Sequence, residues 1–166
     1  MNQIEQRCFD FKEFRAVTSE GSGKFIEGHA AVFDQKANMS GYYFEEIDKD
    51  AFSEESLRDV ALFVNHDRSK IPLARNTSGT MTLLIDDVGL KIRAELDIEN
   101  NTDAKALYSA VSRGDISGMS FAFTVGSVEW HNLESDMPTR RITKIQRVYE
   151  VSAVVYPVYE GTDISA

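Results

Sequence analysis

The sequence predicts a mainly β domain with a few helices, an α+β chain arranged as a single β-barrel flanked by helices. Three observations carry that prediction. Short apolar or alternating runs recur along all 166 residues; turn-forming clusters separate them; and only one long stretch has the 3.6-residue periodicity of a helix.

The first strong strand spans residues 25–33, interrupted by Gly28, which a strand tolerates at a bend or bulge. Residues 41–47 follow with two tyrosines and a phenylalanine, and residues 50–57 (Asp-Ala-Phe-Ser-Glu-Glu-Ser-Leu) read as a short capped helical turn. Residues 60–64 form a compact apolar strand that stops at Asn65. A hairpin comes next, with strands at 79–85 and 90–96 joined by Asp86-Asp87-Val88-Gly89; the second strand alternates apolar with charged residues and so has one wet face. The long helix covers 101–113, opened by Thr102 as N-cap, closed by Gly114, with Ala104, Leu107, Tyr108 and Val111 on one side. Strands at 119–128, 140–148 and 149–156 complete the chain, with a polar loop at 132–139.

A hydrophobic content of 42% is enough to fill a core, and nothing in the chain demands a second domain. The expected organisation is one domain over 1–166, with 1–20 a flexible N-terminal segment and 157–166 the start of a C-terminal tail. The N-terminus, Met1-Asn2-Gln3-Ile4-Glu5-Gln6-Arg7, lacks the apolar core of a secretory signal, and no stretch approaches the length of a membrane span. An intracellular, soluble protein is expected. The one cysteine, Cys8, excludes an internal disulfide and clustered-cysteine metal sites, and beside Phe9 and Phe11 it reads as a half-buried structural thiol. A net charge of −9 argues against tracking a phosphate backbone, so neither nucleic acid nor membrane is an expected partner. Solubility is the plain reading of that charge.

Two segments point to chemistry. Val64-Asn65-His66-Asp67 closes an apolar run with a histidine, and Gly118-Met119-Ser120-Phe121-Ala122-Phe123 opens one with a serine. In an extended chain Met119, Phe121, Phe123 and Val125 share a core face, while Gly118, Ser120, Ala122 and Thr124 share the other. Small residues on that second face admit a close neighbour: either a substrate backbone pairing beside a nucleophile, or a packed helix. His66 at a strand end is either a base that titrates near neutrality or a turn cap. The other histidines offer less: His29 lies inside a strand, where packing is the default, and His131 follows Trp130 in a polar loop. No His-Glu-x-x-His or similar spacing appears, and neither metal nor cofactor is expected.

The order and spacing of these pieces resemble the prohead maturation proteases of tailed bacteriophages, the HK97-type family of serine proteases related in fold to the herpesvirus assembly proteases. The resemblance runs from Gly28-His29-Ala30-Ala31-Val32-Phe33 through Ala51-Phe52, Val64-Asn65-His66-Asp67 and Asp87-Val88-Gly89-Leu90. It continues through Arg113-Gly114-Asp115-Ile116-Ser117-Gly118-Met119-Ser120 to Tyr149-Glu150-Val151-Ser152-Ala153-Val154-Val155-Tyr156-Pro157. It implies a herpesvirus-protease-like barrel and a serine endopeptidase. His66 would be the general base, Ser120 the nucleophile that forms an acyl-enzyme, and Glu150 the group that orients His66. A strand carboxylate paired with a basic residue is the alternative for Glu150. Arg140-Arg141 reads as surface ion pairs rather than oxyanion donors, and Leu73-Ala74-Arg75 stands where relatives often carry Leu-Gly-Arg.

The implied substrates are the scaffolding segment of the major capsid protein and the protease itself, cut inside the assembling prohead in the host bacterial cytoplasm. A homodimer is a further implied state, because the herpesvirus relatives gain activity on dimerising. The competing class is a noncatalytic capsid scaffold or assembly protein that keeps the fold, and a small β-barrel ligand-binding module is a third reading.

Overall fold

The computed structural model describes residues 3–10, 14–18, 21 and 23–156; the expected tail at 157–166 lies outside them. Among these residues eleven strands and one α-helix, with a short 3₁₀ helix at Asn76–Ser78, follow in the order β1 (Glu5–Asp10), β2 (Arg15–Thr18), β3 (Lys24–Val32), β4 (Ala37–Met39), β5 (Tyr43–Ile47), β6 (Ala61–Val64), β7 (Ala74–Arg75), β8 (Met81–Ile85), β9 (Gly89–Glu95), α1 (Thr102–Arg113), β10 (Gly118–His131) and β11 (Thr139–Val154). Two of these strands fall within 1–20, the stretch expected to be a flexible segment.

Mostly β structure with one helix agrees with the expected class, and the strands lie in two sheets. One runs β1-β10-β11-β5-β4, with β6 on β11 and β7 on β6; the other runs β2-β3-β9-β8. No closed barrel is found among the described residues. Apolar side chains from the two sheets form one core, in which Ile26, Leu90 and Ile92 of the smaller sheet join Leu62, Met119, Phe121, Phe123, Ile142 and Ile145 of the larger. The rings of Phe121 and Phe123, on one face by strand alternation, stack at 4.4 Å.

The residues expected as two strands, 140–148 and 149–156, are one 16-residue strand. The apparent break is a β-bulge: Ala122 pairs with Glu150 but Phe123 pairs with Val148, so Tyr149 is the extra residue. The break expected at Gly28 lies two residues further on, where the register with β9 skips from His29 to Ala31. Gly28 serves close packing instead, since a Cβ there would stand 2.9 Å from the Phe14 ring.

The helix is capped by Asn101, one residue before the expected Thr102. The Asn101 side chain accepts from the Asp103 and Ala104 N–H groups, and Gly114 closes the helix in the left-handed conformation at φ 81°. Residues 50–57 make a turn rather than a helix, held by reciprocal bonds between Ser53 and Ser56. Ala74 sits buried in β7, paired with Leu62.

Candidate active site

Three adjacent strands carry the site. β11 runs between β10 and β6, antiparallel to the first with Ser120 opposite Ser152, and parallel to the second with Ala153 opposite Val64. The period-2 alternation of β11 puts Glu150 and Ser152 on one face, the face of Ser120. Beyond the end of β6 the chain turns back through two left-handed residues, Asn65 at φ 50° and His66 at φ 57°. Asparagine and histidine enter that region more readily than most residues, but each position still costs on the order of 1 kcal/mol and needs neighbours to hold it. They are present: Asn65 N–H donates to the Ala153 carbonyl at 2.9 Å, and His66 N–H donates to Ser152 Oγ at 3.1 Å.

The turn aims the imidazole at both neighbouring strands. Nε2 lies 2.6 Å from Ser120 Oγ, and Nδ1 is hydrogen-bonded to Glu150 Oε1. With the carboxylate at Nδ1, the neutral ring holds its proton there and turns its Nε2 lone pair toward the serine hydroxyl. Glu150 is 1% exposed, and its second oxygen accepts from Ser152 Oγ at 2.7 Å. Ser152 therefore closes a ring, donating to the carboxylate that orients the imidazole while accepting from the backbone of the same histidine. Arg68 Nη2 stands 3.9 Å from Glu150 Oε1 at the solvent side.

Cys8 lies opposite Ser120 in the β1–β10 pairing, close enough to act on His66. Burial works against charge on the imidazole, but Cys8 and Glu150 outweigh it through hydrogen bonds and charge, and His66 is held up at about 9. Ser120 exposes no surface. β10 has a neighbour at each edge near the serine, β1 on one side and β11 on the other, so both edges of the serine strand are paired within this chain.

Thus the three residues singled out from the sequence, Ser120, His66 and Glu150, converge. Ser152 and Cys8 were missed as members. Ser152 had a signal, because Glu-Val-Ser spacing in a strand puts both polar residues on one face; Cys8 had none, because its place depends on a pairing 112 residues distant. The other candidates lie elsewhere. His29 is buried in β3 with Nε2 2.7 Å from Asp86 Oδ2, and exposed His131 stands 3.5 Å from Glu129. Asp67 turns away to bond Ser69. Arg140 pairs with Glu5 and Glu45, and Arg141 with Asp34, Glu46 and Asp48, as expected of ion pairs. An apolar cavity of 390 Å³ between the loop after His66 and α1 has neither Ser120 nor His66 in its lining. Among the described residues no cluster of His, Cys, Asp and Glu has the makings of a metal site, and no helix is long and apolar enough to cross a membrane.

A hydroxyl, an imidazole and a carboxylate linked in that order within a mostly β domain are the arrangement that serine hydrolases use. The chain belongs to the caudovirus prohead serine protease family, whose model matches residues 12–166. That makes it a member of a serine peptidase family concerned with capsid maturation. Its fold is similar to the structure of the bacteriophage T4 capsid assembly protease, gp21, with a TM-score of 0.59 over 93% of this chain and 98% of that one, at 16% identity. Among curated proteins, none matches.

Proposed function

We propose that this protein is a serine endopeptidase that cuts the scaffolding segment of its phage's major capsid protein, and itself, inside the assembling prohead. The observation that carries the reading is the continuous hydrogen-bond chain Ser120–His66–Glu150. Ser120 Oγ attacks the scissile carbonyl carbon while His66 Nε2 takes its proton, and Glu150 supports the imidazolium that forms. Collapse of the tetrahedral intermediate breaks the C–N bond, with the proton passing from His66 to the leaving amine, and leaves an acyl-enzyme on Ser120. Water, deprotonated by His66, then releases the acid and restores the serine. Because Ser120 is sealed, a substrate must first displace the groups that cover it. Confinement within a shell raises local concentration, so a slow peptidase suffices. The same reading includes a barrel-like relation of the two sheets to the herpesvirus assembly proteases and a homodimer as the working state.

The full burial of Ser120 is the one observation that favours a noncatalytic assembly protein. Coexpression with the major capsid protein of the same phage separates the two. The capsid protein's intact mass should fall with the natural chain and stay whole with Ser120→Ala and His66→Ala. A whole capsid protein in all three cases, inside assembled shells that contain the chain, would establish the scaffold role instead.

A further inference from the structure

On the catalytic face of the larger sheet, beyond Ser120, lies a cleft of 660 Å³ whose lining includes Arg58, Lys144, Arg147, Glu55, Thr124 and Tyr149. Glu55 is engaged by Arg58 at 2.9 Å, which leaves Lys144 and Arg147 to set the sign of the cleft. A cationic cleft stands out on a chain of net charge −9. Two buried polar atoms there have no hydrogen-bond partner within the protein: Thr124 Oγ1, on a residue 3% exposed, and Arg147 Nε. They are neighbours, since Thr124 and Arg147 are paired across β10 and β11. Tyr149, the bulged residue, holds the guanidinium in place with Arg147 Cζ 4.8 Å from its ring centroid.

Buried donors without acceptors are costly, and most in folded proteins are satisfied. A guanidinium Nε only donates and a hydroxyl also donates, so together they call for an acceptor with two oxygens, and the positive charge selects an anionic one. Alternation along β10 puts Thr124 on the face of Ser120, about 13 Å away at ~3.3 Å per residue. An extended peptide with its scissile carbonyl at Ser120 reaches that point about four residues from the cut. We propose that this cleft is a subsite that binds the carboxylate side chain of an acidic residue in the substrate peptide, an inference that rests on the peptidase reading above.

The test is an NMR titration of the full chain carrying Ser120→Ala, with N-acetyl-glutamate N-methylamide, its glutamine counterpart and inorganic phosphate as probes. The glutamate compound should shift the Thr124, Lys144 and Arg147 signals saturably, and the glutamine compound should not. Arg147→Gln should weaken the effect about tenfold, as loss of a charge-assisted bond does. The near-isosteric Thr124→Val, which removes only the hydroxyl, serves if Arg147→Gln fails to fold. Equal shifts from glutamine, or shifts indifferent to both substitutions, overturn the subsite. Tighter binding of phosphate than of the glutamate compound overturns it in favour of a free oxyanion site. With the active chain, internally quenched peptides in which one glutamate is moved along the sequence should show a lower KM and an unchanged kcat when it sits about four residues from the cut. Cleavage without that preference, together with a silent titration, sinks the subsite and leaves the peptidase reading standing. A positive titration in a chain that cuts nothing does the reverse, leaving a carboxylate site on a protein that is not a peptidase.

Discussion

On the proposed peptidase reading, the demands of rest and of catalysis oppose each other at His66. The partners that fix the ring, Glu150 at Nδ1 and Cys8 beside Ser120, favour its protonated form and hold it up at about 9, whereas a general base must be neutral. At pH 7 the neutral fraction of a group with that value is about one in a hundred. The expected result is a rate of fluorophosphonate labelling at Ser120 that climbs from pH 7 and levels off above about 9. Cys8→Ala, which removes one of the two side chains that favour the protonated ring, should move the midpoint toward neutrality. A midpoint unmoved by that substitution would show that Glu150 alone holds the proton. Ser152 acts here through others. It donates to Glu150 and accepts from His66 N–H, so both the carboxylate rotamer and the left-handed backbone depend on one buried hydroxyl.

Among the elements, the β3–β9 pair is the least tolerant. A Cβ on Gly89 would stand 1.9 Å from the Ala31 carbonyl oxygen and 2.9 Å from Val32 Cα, and these are backbone atoms of a paired strand that cannot swing aside. Gly89→Ala should therefore destabilise the fold by about 3 kcal/mol, at the upper end of overpacking costs. Gly41, also in a turn but with φ 78° and open space around it, should lose only about 1 kcal/mol on the same change. Denaturant midpoints of the two variants measure the difference, and equal losses would refute the steric argument. The same pair shows what the sequence could convey. The 90–96 strand and its Asp-Asp-Val-Gly turn were legible because alternation and turn chemistry are local. β4 and β7 were not, since strands of three and two residues have too few positions to show a period; β2 carries no buried residue to mark it, and β1 is held by β10, far along the chain. The break assigned at residue 148 was a real irregularity misread: a bulge looks like a strand end when only one strand is in view. The site was legible through the spacing of its motifs, while the thiol over Ser120 depended on β1 and was not.

Over the whole molecule, the ionisable groups divide by the side of neutrality on which they stabilise the fold. Burial pushes the Glu5, Glu27 and Asp86 carboxyls up, but hydrogen bonds outweigh it: Arg140 for Glu5, Arg15 for Glu27, and the Gly89 N–H and His29 for Asp86. Asp48 is lowered chiefly by the Asp50 N–H, against burial and with help from Arg141. A carboxyl depressed in the folded state contributes stability that is present above its unfolded value, roughly 4, and is lost as pH falls through the lower folded one. His66 has the opposite sign. Its folded value is raised, so its contribution is complete below the unfolded value near 6.5 and is lost as pH rises through about 9. The Tm should accordingly be highest between about pH 5 and 6.5 and fall on both sides. Its alkaline limb should coincide with the rise in Ser120 labelling, because the same proton leaves His66 in both measurements. His66→Ala should flatten that limb and leave the acid limb in place, since the acid limb belongs to the carboxylates. An alkaline limb that survives His66→Ala would assign the loss to another group and break the link between the stability of the resting site and the protonation of His66 at neutral pH.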